Sequence, residues 1–199
     1  MFHNHNRAQI ASVLGMAGAA LFFVGLLVEY RYDLFPPGSG PLYTLNQLQF
    51  FVAMTCILAL LWAVRAEKVG GNGRFARIAL TLFPIGWGLI ILGGVLNLLT
   101  GSADNPLIPL GALTMVIFGL ATGITVAAAD KWTGWRRYVL LLQGVYYALL
   151  VLRAVITSQG PTLLTESVWM AIWFLVGLAL WQESRSEIRS STSLEKLNF

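Results

Sequence analysis

Residues 78–99 read IALTLFPIGWGLIILGGVLNLL. The stretch contains no Asp, Glu, Lys, Arg or His. At about 1.5 Å rise per residue, a helix of this length reaches about 33 Å. The hydrocarbon core of a bilayer is about 30 Å thick, so the segment is long and apolar enough to span it. Lipid offers backbone amides no hydrogen-bond partner, which makes helix the expected conformation. The ten-residue alternation of barrel strands is absent.

Five more stretches satisfy the same test, at about 8–28, 45–64, 108–129, 138–156 and 163–181. Composition agrees: the 199-residue chain is 57% hydrophobic and 11% charged. Soluble domains carry about 25% charged residues. Thirteen basic and nine acidic side chains cannot clothe a water-facing surface of this size. The expected fold class is therefore all-α, a polytopic transmembrane helix bundle of six spans. It forms one domain, 1–182, followed by a polar tail, 183–199, able to extend the last helix by a turn or two. The first apolar run exceeds a signal-peptide h-region and has no small-residue cleavage site, so it reads as a retained helix.

The basic residues are distributed unevenly. Arg7 precedes the first span, and Arg65, Lys68, Arg74 and Arg77 separate the second and third. Lys131, Arg136 and Arg137 separate the fourth and fifth, and Arg185, Arg189 and Lys196 follow the sixth. Only Arg31 and Arg153 fall toward the other side. The positive-inside rule makes the basic side cytoplasmic and, with six spans, puts both termini there (N-in/C-in). This distribution, rather than nucleic-acid binding, explains the sequence pI of about 9.5.

The opposite connections are turn-rich: 35–41 (FPPGSGP), 101–106 (GSADNP) and 158–161 (SQGP). Each places Pro near the start of the next helix. The recurring order of basic turn, span, Gly/Pro turn and span suggests a triplicated hairpin, although any outer turn favours Gly and Pro. Trp62, Trp132, Trp135, Tyr138 and Trp181 fall at the expected inner boundary, and Tyr30, Tyr32 and Tyr43 at the outer one. Amphipathic rings favour both interfaces.

Small residues fall at four-residue spacing at Gly111, Gly119, Gly123 and Ala127, with Met115 filling the gap, and at Ala11, Gly15 and Ala19. Such stripes bring helices close, either within one bundle or between copies of the chain. Pro84 removes a helical hydrogen bond in mid-span, which either bends the helix or breaks it at a site.

No HExxH, GxSxG, Walker loop or CxxC occurs, and Cys56 is the single cysteine. His3 and His5 are the only histidines, so histidine cannot hold a haem inside the bundle. No catalytic residue, metal site or cofactor is expected, and the chain is not expected to be an enzyme. Mid-span polarity is limited to Thr55, Cys56, Thr114 and Thr122.

The fifth span is the informative one. At 100° per residue, Gln143, Tyr146, Tyr147, Leu150, Arg153, Ala154 and Thr157 share one face. Glu29, Asn46, Gln49, Asn97 and Glu166 lie at the same outer depth as Arg153, and Trp169 and Trp173 share a face with Glu166. These residues suggest an outer-leaflet pocket with Arg153 at its centre and Gln143, Asn97, Tyr146, Tyr147, Glu29, Glu166, Trp169 and Trp173 around it. A guanidinium there would hold a carboxylate, phosphate or headgroup. The competing reading pairs Arg153 with Glu29 or Glu166 as a structural lock, or lets it snorkel.

Two functions follow. One is binding or passive transport of a small or amphiphilic molecule, an anionic one where Arg153 is its contact. The other is a non-catalytic accessory or scaffold subunit of a larger membrane complex. The expected partners are membrane lipids, with a homo-oligomer or other membrane subunits, and no nucleic acid. The expected location is a plasma membrane, of the bacterial inner-membrane kind.

Overall fold

The computed structural model describes residues 2–35, 38–102 and 104–197, with side chains placed for 6–35, 38–102 and 104–186. His3, His5, Pro36, Pro37, Arg189 and Lys196 therefore lie outside the residues whose side chains are described. Six helices follow one another: α1 (Phe2–Tyr32), α2 (Pro41–Ala66), α3 (Arg74–Thr100), α4 (Leu107–Ala129), α5 (Arg136–Thr157) and α6 (Leu163–Leu197). Among the described residues there is no strand. All six helices are long and apolar enough to cross a membrane.

The helices overrun the apolar stretches that announce them. Helix formation does not stop where hydrophobicity does, and only a breaker or a cap ends it. Pro41 opens α2, and left-handed residues close α3 at Gly101, α4 at Asp130 and α5 at Ser158. Thr162 and Thr165 exchange backbone-to-hydroxyl bonds at the start of α6. No such stop follows Trp181, and the expected polar tail continues as helix to Leu197. Pro84 lies inside an unbroken α3, so its missing N–H costs a bond without opening the helix.

Each helix packs on its chain neighbours, and α6 closes the ring by packing on α1. Neighbours run antiparallel. Gly15 faces Leu60 while Gly25 faces Phe50, and Gly177 backs onto Ser12 and Met16. The start of α1 and the end of α6 consequently lie at one end of the bundle. The α2–α3 and α5–α6 seams are the sparsest between neighbours. The small-residue stripes serve close packing inside the chain. Gly111 meets Gly86 and Ile90 of α3, Gly119 meets Phe83, and Gly123 meets the backbone of Leu140 and Leu141 in α5.

The centre is aromatic. Trp87 packs on Trp169 at 5.4 Å and Trp173 at 5.1 Å, and Trp173 stacks on Phe83 at 6.1 Å. The outside is apolar as well: Leu99, Leu164, Val155, Ile156, Leu45 and Phe75 are each more than 60% exposed. Six apolar helices wrapped in an apolar surface suggest a membrane location. Trp62, Trp135, Tyr138 and Tyr32 are exposed, whereas Tyr43 and Trp132 are buried and act as packing.

Candidate functional site

At the end of the bundle away from the termini, α1 brings Glu29 into the interior. It is only 8% exposed. The register that pairs Gly25 with Gln49 and Phe50 sets Glu29 opposite Asn46 one helical turn further out. Asn46 is 2% exposed, and neither atom of its amide has a hydrogen-bond partner. Gln49, on the turn below, is tied down by donating to the Leu21 carbonyl at 2.9 Å.

Glu166, half-buried in the first turn of α6, lies within Coulombic reach of Glu29, and Tyr30 lies within reach of both. The Tyr30 hydroxyl donates to the Pro161 carbonyl at 3.0 Å, which fastens α1 to the α5–α6 turn. Below Glu166, Trp169 stacks on Tyr147 at 5.0 Å and meets Phe22 edge-on at 6.4 Å. The indole N–H of Trp169 is buried and unpartnered. The outer cluster thus has an aromatic floor.

Arg153 is half-exposed near the outer end of α5 and forms no ion pair with Glu29 or Glu166. It stands seven residues beyond Tyr146, about 10 Å further along the axis. The Tyr146 hydroxyl donates to the Thr165 carbonyl at 2.9 Å, so Tyr146 joins α5 to α6 rather than facing a cavity. Asn97 is drawn away from the cluster. Its Oδ1 accepts from Asn105 Nδ2, which also donates to the Gly93 carbonyl at 3.0 Å, so it builds the α3–α4 turn.

Gln143 and Trp173 lie deeper. Both are 0% exposed, and neither the Gln143 amide nor the Trp173 N–H has a partner. Gln143 Oε1 approaches Gly119, as does the Phe83 ring that stacks on Trp173. Of the nine expected residues, Glu29, Glu166, Tyr147 and Trp169 come together, Arg153 stands at the rim, and Gln143 and Trp173 form a lower layer. Asn46 was visible in the sequence only as a polar residue at the right depth.

At the terminal end, basic and acidic groups do pair. Arg136 meets Glu183 at 3.2 Å, and Arg137 meets Asp130 at 2.7 Å. Among the described residues, no three His, Cys, Asp or Glu side chains gather as metal ligands. Comparison with family models, curated proteins and solved structures finds no match for this chain.

Proposed function

We propose that this chain is an integral membrane protein, N-in and C-in, that binds a small cationic molecule from the outer side at Glu29, Glu166 and Asn46. One observation carries the reading: Glu29 is buried within Coulombic reach of a second carboxylate, Glu166, and among the described residues neither forms an ion pair with a cation. Burying a lone charge costs several kcal/mol, and a like charge nearby adds to that. A bound cation would offset both terms, and the Asn46 carbonyl oxygen would complete its contacts. Ionisable groups inside a span are functional candidates by default. The two carboxylates outweigh the single guanidinium at the rim, which favours a cation over the anion that Arg153 alone suggested. The aromatic floor below favours binding over passive flow.

The orientation rests on the basic residues gathered at the terminal end. Reporter tags at residues 1 and 199 are expected to signal from the cytoplasm, and a tag in the 101–106 turn from outside. Opposite compartments for the two termini would overturn the topology. A plasma membrane of the bacterial kind remains the proposed location.

The ligand is tested by thermal unfolding of detergent-purified protein with tetramethylammonium, tetraphenylphosphonium and sodium, against acetate and phosphate. A cation at a hundred times its Kd is expected to raise Tm by about 5–10 °C. Glu166→Gln is expected to abolish the shift and Arg153→Gln to keep it. Stabilisation by the anions that disappears in Arg153→Gln would refute the cation site, as would no response to the whole panel. One observation favours the second reading, an accessory subunit or homo-oligomer. An apolar groove of about 600 Å³ between α1 and α6 is lined by Ala19, Ala20, Phe23 and Ala171, and small side chains of this kind let a foreign helix approach closely.

A further inference from the structure

The two inner turns hold similar charge and treat it differently. At the α4–α5 turn the arginines are spent on Glu183 and Asp130. At the α2–α3 turn, Arg65, Lys68, Arg74 and Arg77 are all exposed, and none forms an ion pair among the described residues. Orientation in a membrane needs only the charges, not their freedom from partners.

These four cations line two adjoining hollows. One, of about 180 Å³, is bounded by Arg65, Lys68, Gly71, Arg77 and Leu80. The other, of about 480 Å³, is bounded by Arg74, Arg77, Ile78, Thr81 and Leu82. Arg77 is a wall of both.

Arg65 is already positioned. Its Nε donates to Thr81 Oγ1 at 2.9 Å, and its guanidinium lies 5.1 Å over the Trp62 ring. Thr81 in turn donates to the Arg77 carbonyl at 2.7 Å. The terminal nitrogens of Arg65 make no hydrogen bond among the described residues and stay free for a bidentate acceptor, at little ordering cost. The start of α3 adds to the field. Gly73 caps it without a side chain, and the first backbone N–H groups of α3 are uncapped. Apolar surface begins at the same place: Ile78 and Leu82 share the larger hollow, and Phe75 and Ile78 are at least half exposed. Cations above and bare apolar side chains below are the two halves of a phospholipid's complement.

We propose that the α2–α3 turn is a binding site for an anionic phospholipid of the cytoplasmic leaflet. The headgroup phosphate sits among Arg65, Arg74 and Arg77, and the acyl chains lie along Phe75, Ile78 and Leu82. The site needs a bilayer around the chain and is independent of any ligand at the outer cluster.

The test is native mass spectrometry of protein released from mixed micelles of phosphatidylglycerol and phosphatidylcholine in equal amounts. Wild type is expected to retain phosphatidylglycerol preferentially. An Arg65→Gln/Arg77→Gln double variant is expected to lose about 30-fold of that preference. Both positions are exposed, so its thermal unfolding should fall by no more than the Arg65–Thr81 bond supplies, about 1 kcal/mol. Arg65→Lys/Arg77→Lys keeps charge and should retain part of the preference, and Arg185→Gln should retain all of it. Equal retention of the two lipids by wild type would overturn the site. So would a preference that survives in the double Gln variant, or one that falls as far in Arg185→Gln.

Discussion

A Gly144→Val chain is expected to lose about 3 kcal/mol of stability or more, enough to leave much of it unfolded in detergent. A Cβ at Gly144 would sit 2.8 Å from the Gly119 carbonyl carbon and oxygen, and 2.8 Å from Leu120 N. These are backbone atoms of α4, which cannot rotate aside as a side chain would. The same crossing is used from the other side, where a Cβ on Gly123 would run into Leu141 Cα. The α4–α5 pair therefore meets backbone to backbone, the contact that small residues permit in lipid. Gly88→Ala is the control. A Cβ there meets nothing within 4 Å, and the change is expected to be neutral or to add up to about 1 kcal/mol from helix propensity. Thermal or SDS unfolding of the three proteins checks the ranking. A Gly144→Val chain that unfolds like wild type would show that α4 and α5 do not cross as described.

Trp87→Ala carries the second large effect, about 3–5 kcal/mol. The ring is fully buried between Trp169 and Trp173. Its Nε1 donates to the Met54 carbonyl at 2.8 Å, across the sparse α2–α3 seam. Truncation leaves a cavity in a layer of stiff rings, which cannot close around it. Trp87→Phe separates the two contributions. It keeps most of the volume and gives up the bond, for about 1 kcal/mol from the bond itself. Equal losses in the two variants would mean that the hydrogen bond, and not the ring, holds the layer.

Much of the architecture could be read from the chain because lipid imposes a one-dimensional requirement. Length and apolarity alone mark residues 78–99 as a helix able to cross a bilayer, and no tertiary information is needed. The helix ends were less legible. Phe2–Ala8 and Trp181–Leu197 are polar yet helical, since nothing in those residues stops the helix. For the candidate site, hydropathy conveyed depth and the 100° projection conveyed face. Neither conveys which neighbour a face meets. Asn97 and Glu29 share one depth, but Asn97 turns to Asn105 within its own hairpin, whereas Glu29 is buried within Coulombic reach of Glu166 on α6. Arg153 looked central because it is the lone cation on its face. The ring of helices leaves it at the rim, with the carboxylates inside.

The uneven seams of the ring also bear on how it can move. The α2–α3 boundary is bridged by Arg65 to Thr81 and by Trp87 to Met54, and the α5–α6 boundary by Arg136 to Glu183 and by Tyr146 to Thr165. Each is a discrete polar link that can exchange partners, whereas the glycine crossings elsewhere are continuous surfaces that slide poorly. Two rigid triplets, α6–α1–α2 and α3–α4–α5, are thus joined along two cleavage lines. Any swing of one triplet against the other would have to unfasten these four clasps and re-seat the rings of Trp87, Tyr147, Trp169 and Trp173, which also span the two.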